Sequence, residues 1–216
     1  MPDHVKNALA GLKNPEASIR AKHFKSPTNF FLERREKSIE RRDKAAGKKF
    51  IMPKNARGFV EAFPTDPGHT LHAMVCGDFV MGDILPMIDE VYGPISKIRI
   101  STLSLSIKNC EKIAALMVKR PELVFSLVIS DFFQNTNGKV YDAILNLVQK
   151  PFGKRFRLTV QRTHAKIFLF ETPGFLFCIE TSANLRSSNN QEQAVVNCDP
   201  EVYAFYGDWM EKFFES

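Results

Sequence analysis

Thr163–Glu192 reads THAKIFLFETPGFLFCIETSANLRSSNNQE. His164 and Lys166 stand two apart, and a strand would point both to one face. Ile167–Phe170 is an apolar run that suits a buried strand. Glu171-Thr172-Pro173-Gly174 is a turn signal, because Pro and Gly punctuate. Phe175–Glu180 is a second strand returning beside the first. Such a hairpin carries Ser182 and Asn184 back to the end that holds His164 and Lys166. Converging polar groups of this kind suit a phosphate. Lys supplies charge, Asn and Ser supply neutral donors, and an imidazole can attack phosphorus or move a proton near neutral pH. Glu192 could accept a histidine's other ring N–H and fix its tautomer.

The order His-x-Lys, apolar strand, Ser-x-Asn, then Asn-x-Glu resembles the signature of the phospholipase D superfamily. The resemblance implies metal-independent phosphodiester transfer through a phosphohistidine. It makes His164 the nucleophile or the acid. It gives Lys166 and Asn184 to the phosphate, an assisting role to Ser182, and the orienting of a histidine to Glu192. Two positions depart from the pattern: Glu171 stands where the family has Asp, and Thr181 stands before Ser-x-Asn where it has Gly. Only one good copy of the motif is present. His23-Phe24-Lys25 repeats His-x-Lys with no strand after it and is set aside as chance. A single copy implies a homodimer whose two motifs meet across a two-fold axis, as in the small endonucleases of the family.

The formal charge of +6 favours an anionic partner, either nucleic acid or an anionic membrane surface. Positive charge is concentrated near the N-terminus, where Thr28 could cap a helix from Asn29 to about Ala46. Arg34, Arg35, Arg41 and Arg42 on that segment, with Arg186 beyond Asn184, are the candidate substrate contacts. The plainer reading of the segment is a solvated helix laced by Glu33, Glu36 and Glu40. Cys76, Cys110, Cys178 and Cys198 form no CxxC pair, which suits reduced thiols in an intracellular, cytoplasmic protein. The opening MPDHVKNALAGLKN has no apolar core of a signal peptide, and no run is long enough to span a bilayer.

Pro53, Pro64 and Pro67 mark a linker, so residues 1–66 are expected to be a basic, partly helical arm and 67–216 a catalytic domain. Strands at Thr70–Cys76, Lys97–Leu103, Leu123–Phe132 and Arg155–Gln161 alternate with helices at Phe79–Val91, Ser106–Val118 and Asn137–Gln149. A last helix runs from Asp199 to Phe214. This order argues for an α/β domain with a mixed, largely parallel sheet covered by helices on both faces. His69, His72 and Cys76 fall on an extended segment, so no metal or cofactor is expected there. His72, the strand ends Ser101, Thr102 and Ser104, and the turn Asp131, Gln134 and Asn135 are possible cleft residues.

The expected function is a metal-independent phosphodiesterase that cleaves nucleic acid, DNA ahead of RNA, as a homodimer without stable membrane insertion. Two alternatives stay open: a nucleic-acid-binding module with an inactive site, and a phospholipid hydrolase or transferase.

Overall fold

A computed structural model describes residues 41–43, 47–75, 77–186 and 190–215. The sheet has nine strands, introduced here in chain order. They are β1 (Arg41–Asp43), β2 (Lys48–Ile51), β3 (Thr70–Val75), β4 (Lys97–Thr102), β5 (Val124–Ser130), β6 (Phe156–Gln161), β7 (Ile167–Thr172), β8 (Phe175–Thr181) and β9 (Glu192–Asn197). Their spatial order is β1-β2-β3-β9-β8-β7-β4-β5-β6. The helices are α1 (Ala56–Val60), α2 (Ile84–Val91), α3 (Ile107–Lys119), α4 (Asp131–Thr136), α5 (Gly138–Ile144) and α6 (Pro200–Glu211).

The class is α/β with a mixed sheet, as the sequence led us to expect, but the balance of directions differs. Three neighbouring pairs are parallel and five are antiparallel. The reason is local. The β7–β8 hairpin and the returning β9 lie between β3 and β4, so each junction there reverses direction. The hairpin closes on Pro173-Gly174, with Thr172 opposite Phe175 and Gly174 at φ 86°. Pro presets the first corner of such a turn, and only Gly takes the left-handed second corner cheaply.

β9 was not foreseen. Ala194 and Val196 point into the core on alternate positions, but the strand follows directly on the polar Asn-x-Glu motif, which reads as loop. The basic helix expected from Asn29 to about Ala46 is corrected over its last part. Arg41–Asp43 is a strand antiparallel to β2, with Gly47 at φ 61° between them. The rest of that helix lies outside the described residues. The stretch read as linker before residue 66 also carries structure. β2 pairs with β3, and α1 buries Phe59 and Val60 completely. Asn55 caps α1 by accepting from Gly58 N at 2.8 Å.

Helices cover both faces. The larger core lies beneath α1, α2, α3 and α5, with Phe125, Phe168, Phe170 and Phe177 fully buried from the sheet. The second core packs α6, through Tyr203 and Met210, on Val128, Leu169 and Cys178. Helix starts follow their capping residues: Ser106 accepts from Asn109 N at 3.3 Å, and Asp199 accepts from Glu201 N at 2.8 Å. Gly207 lets α6 approach the sheet, because a Cβ there would sit 2.5 Å from the Arg99 guanidinium.

One buried ion cluster joins α2 to α3. The Asp89 side chain has no exposed surface. It accepts from Lys119 at 2.8 Å, from Arg120 at 2.7 and 3.0 Å, and from Ile95 N at 3.2 Å. Burial alone would raise its carboxyl, but the Arg120 and Lys119 hydrogen bonds prevail and hold it below the ordinary 3.8. Asp89→Asn is therefore expected to cost about 2 kcal/mol and lower Tm by about 4–8 °C. A carboxyl depressed in the fold stabilises above its unfolded pKa and loses that effect as pH falls through its folded one. The gap between wild type and variant should therefore be full above pH 3.8 and close below it, as read by urea melts across acidic pH.

Candidate phosphate site

Strand directions gather the site. With β4 taken as pointing up, β3, β5, β6 and β8 also end at the upper edge, and β7 and β9 begin there. Residues before β7, after β8, at the start of β9 and at the end of β4 therefore meet along one rim.

His164 and Lys166 come just before β7, in extended chain rather than in the strand. The chain is fixed there by two hydrogen bonds. Ser101 Oγ donates to Ala165 O at 3.0 Å, and Thr181 N donates to Lys166 O at 3.1 Å. His164 is exposed, whereas Lys166 is only 7% exposed. Lys166 Nζ lies 3.1 Å from His164 Nδ1 and donates to His164 O at 2.9 Å. Burial pushes the Lys166 ammonium below its ordinary value, and the Glu192 carboxylate only partly offsets this. A charged Lys is a donor only, so the contact suits the neutral tautomer of His164 that accepts at Nδ1 and carries its hydrogen on Nε2. That tautomer presents a proton to the rim, not a lone pair.

Asn184 lies two residues past Ser182. Its Oδ1 accepts from Leu103 N at 3.1 Å and lies 3.4 Å from Thr102 Oγ1, whose hydrogen has a nearer acceptor in Ser104 O at 3.1 Å. The amide nitrogen is thereby left to face the other way, as a donor. Thr102 Oγ1 also accepts from Leu185 N at 3.4 Å, and Leu185 O accepts from Gly82 N at 3.2 Å. Gly82 is required at that contact, because a Cβ would lie 2.0 Å from the buried Asn109 amide. Thr102, read from sequence only as one of several ambiguous strand ends, is thus the anchor of the loop. Nothing in the sequence singled out Gly82 or Leu185.

Ser182 Oγ donates to Glu192 and accepts from Gln193 N at 3.0 Å. Its hydrogen is committed to the carboxylate, so Ser182 steadies Glu192. Glu192 lines a small cleft with Asn184, Arg186 and Asn190. Arg186 is exposed there. The rim thus brings together His164, Lys166, Asn184, Ser182 and Glu192, with Arg186 at its edge. Arg34 and Arg35 lie outside the described residues. Arg41 and Arg42 belong to β1 at the far edge of the sheet.

Other candidates sort by position. His72 lies three residues before the end of β3 and stacks on Phe50 at 5.1 Å, so it does not reach the rim. His69 pairs with Asp66 at 3.5 Å. Asp131 lines a cavity of about 440 Å³ together with Phe132, Arg162 and His164. Gln134 and Asn135 lie further along α4. Cys110, Cys178 and Cys198 are free and buried. No helix among the described residues is long and apolar enough to cross a membrane.

No protein-family model and no curated protein matches the chain. Solved structures do. Nuc, a phospholipase D family member from Salmonella typhimurium, is similar at 17% identity and TM-score 0.44, over 56% of this chain and 78% of that one. NucT from Helicobacter pylori is similar at 15% identity and TM-score 0.48, over 68% and 98%. A polyphosphate kinase from Porphyromonas gingivalis is similar at 11% identity and TM-score 0.47, over 68% of this chain and 26% of that one. The rim carries an exposed imidazole, a buried cation and a tethered amide.

Burying a cation costs stability that an apolar residue would not. Lys166→Met is therefore expected to raise Tm by about 2–4 °C at neutral pH. The gain should shrink as pH climbs from the lowered value of Lys166 toward 10.5. In that window the folded wild type has shed a proton that the unfolded chain keeps, so wild-type stability rises with pH. Calorimetry across that range checks both statements.

Proposed function

We propose that this chain is a metal-independent phosphodiesterase that cleaves nucleic acid, and that two chains complete each active site. The observation that carries the reading is the buried Lys166 ammonium, 3.1 Å from an exposed imidazole, on the rim that holds the Asn184 amide. A phosphate placed there meets a positive charge and a neutral donor at its non-bridging oxygens. It also meets an imidazole positioned to attack phosphorus.

The steps follow from the donor pattern. An arriving phosphate competes for Lys166 Nζ and draws it away from His164 Nδ1. The hydrogen of His164 can then rest on Nδ1, which frees the Nε2 lone pair. Nε2 bonds to phosphorus while the bond from phosphorus to the leaving oxygen breaks. His164 of the partner subunit, which enters the step as an imidazolium, gives that oxygen a proton and is left neutral. Water then attacks phosphorus, the N–P bond breaks, and the proton of that water returns to the same acid. Glu192, held by Ser182, supplies a carboxylate that stabilises the imidazolium formed at the two-fold axis.

The net charge of +6 supports a polyanionic substrate over a neutral lipid. The test is cleavage of end-labelled single- and double-stranded DNA and RNA in excess EDTA. His164→Ala should lower the rate by at least ~10²-fold while leaving affinity for the oligonucleotide within a few-fold. Cleavage that needs added magnesium and survives His164→Ala would refute the reading. Binding without any cleavage would leave a nucleic-acid-binding module.

A further inference from the structure

The cavity beside His164 is not used by the chemistry above. About 440 Å³ in volume, it lies between the end of β5, the start of α4 and the chain leading to His164. Two of its lining groups are unusual together. Phe132 is 62% exposed, although its neighbour Phe133 is buried at 2%. Arg162, two residues before His164, is exposed and lines the same cavity.

Leaving most of a phenyl ring in water forgoes the stabilisation that burial would yield. The backbone that carries the ring is nevertheless pinned. Phe132 N donates to Asp131 Oδ1 at 2.7 Å and to Ser130 Oγ at 3.3 Å, and Phe132 O accepts from Thr136 Oγ1 at 2.7 Å. The lining carries both signs of charge: the Asp131 carboxylate repels a phosphate and the Arg162 guanidinium attracts one.

We infer that this cavity is a nucleotide subsite, in which Phe132 stacks on a nucleobase and Arg162 holds the phosphate next to the scissile one. A base lying flat on an exposed ring is unpaired, so the inference assigns a single-stranded or locally opened strand as substrate. It rests on the phosphodiesterase reading for the identity of the neighbouring phosphate at His164. Phe132 and Arg162 line the cavity whether or not turnover occurs.

The test therefore reads binding and cleavage separately. Fluorescence anisotropy is measured with fluorescein-labelled oligothymidylate and with an abasic deoxyribose-phosphate chain of equal length. Phe132→Ala should weaken oligothymidylate binding about 10-fold, within the range that one stacked base contributes. It should leave the abasic chain unaffected, and Phe132→Trp should restore binding. The new tryptophan should be quenched by oligothymidylate and not by the abasic chain, read as a difference from the wild type, whose single tryptophan is Trp209. Arg162→Gln should weaken both probes and flatten the salt dependence.

In cleavage, Phe132→Ala should raise KM for oligothymidylate about 10-fold and leave hydrolysis of methyl p-nitrophenyl phosphate, which has no base, unchanged. Equal losses on both anisotropy probes, or no loss on either, would overturn the subsite. A wild type that cleaves nothing would sink the phosphodiesterase reading, while the anisotropy series would still decide the subsite.

Discussion

One side-chain carbonyl ties the site together. Asn184 Oδ1 reaches from the chain beyond β8, across the start of β7, to the backbone of Leu103 at the end of β4. Thr102 Oγ1 takes up the next backbone N–H of the same loop, and Gly82 N takes the carbonyl after it. The loop is clamped on two sides by groups remote in sequence. Within that clamp the Asn184 amide has one orientation. Without it, the residues after β8 would be an ordinary exposed turn.

Lys166 is buried at the head of β7. Its ammonium is held by the carbonyl and ring nitrogen of His164, two neutral acceptors, with a carboxylate acting from further away. Such a cation is desolvated but not neutralised, so an anion entering the rim meets most of its charge. A salt bridge at that place would be more stable and less able to bind phosphate. The expensive arrangement is the one that leaves charge available.

Much of this was legible in the sequence, for identifiable reasons. The β7–β8 hairpin announced itself through Pro173-Gly174 between two apolar runs, and hairpin geometry alone returns Ser182 and Asn184 to His164. The β4, β5 and β6 strands and α2, α3 and α6 followed from periodicity and from Ser106 and Asp199 as caps. What failed depended on long-range pairing. β9 was hidden because Glu192 serves both as a polar motif residue and as the first residue of a strand, and its partner β3 lies far back in the chain. The basic run hid a strand because Arg and Lys fit a helix equally well. Only pairing with β2 decides Arg41–Asp43. The pairing of Ser182 with Glu192, and of Lys166 with His164, is a matter of rotamer choice that no spacing rule contains.

The β3–β9 pairing carries a consequence in time. β1 and β2 join the sheet only through β3, and β3 meets the rest of it at β9. Val75, at the end of β3, pairs with Glu192, and both line the cleft that holds Asn184. The hairpin can form early from neighbours in the chain, but this seam joins segments more than a hundred residues apart and carries a large loop-closure cost. The β8–β9 pairing sets the carboxylate beside its His and Lys from neighbours in the chain, and β3 closes the cleft later by bringing Val75 against Glu192.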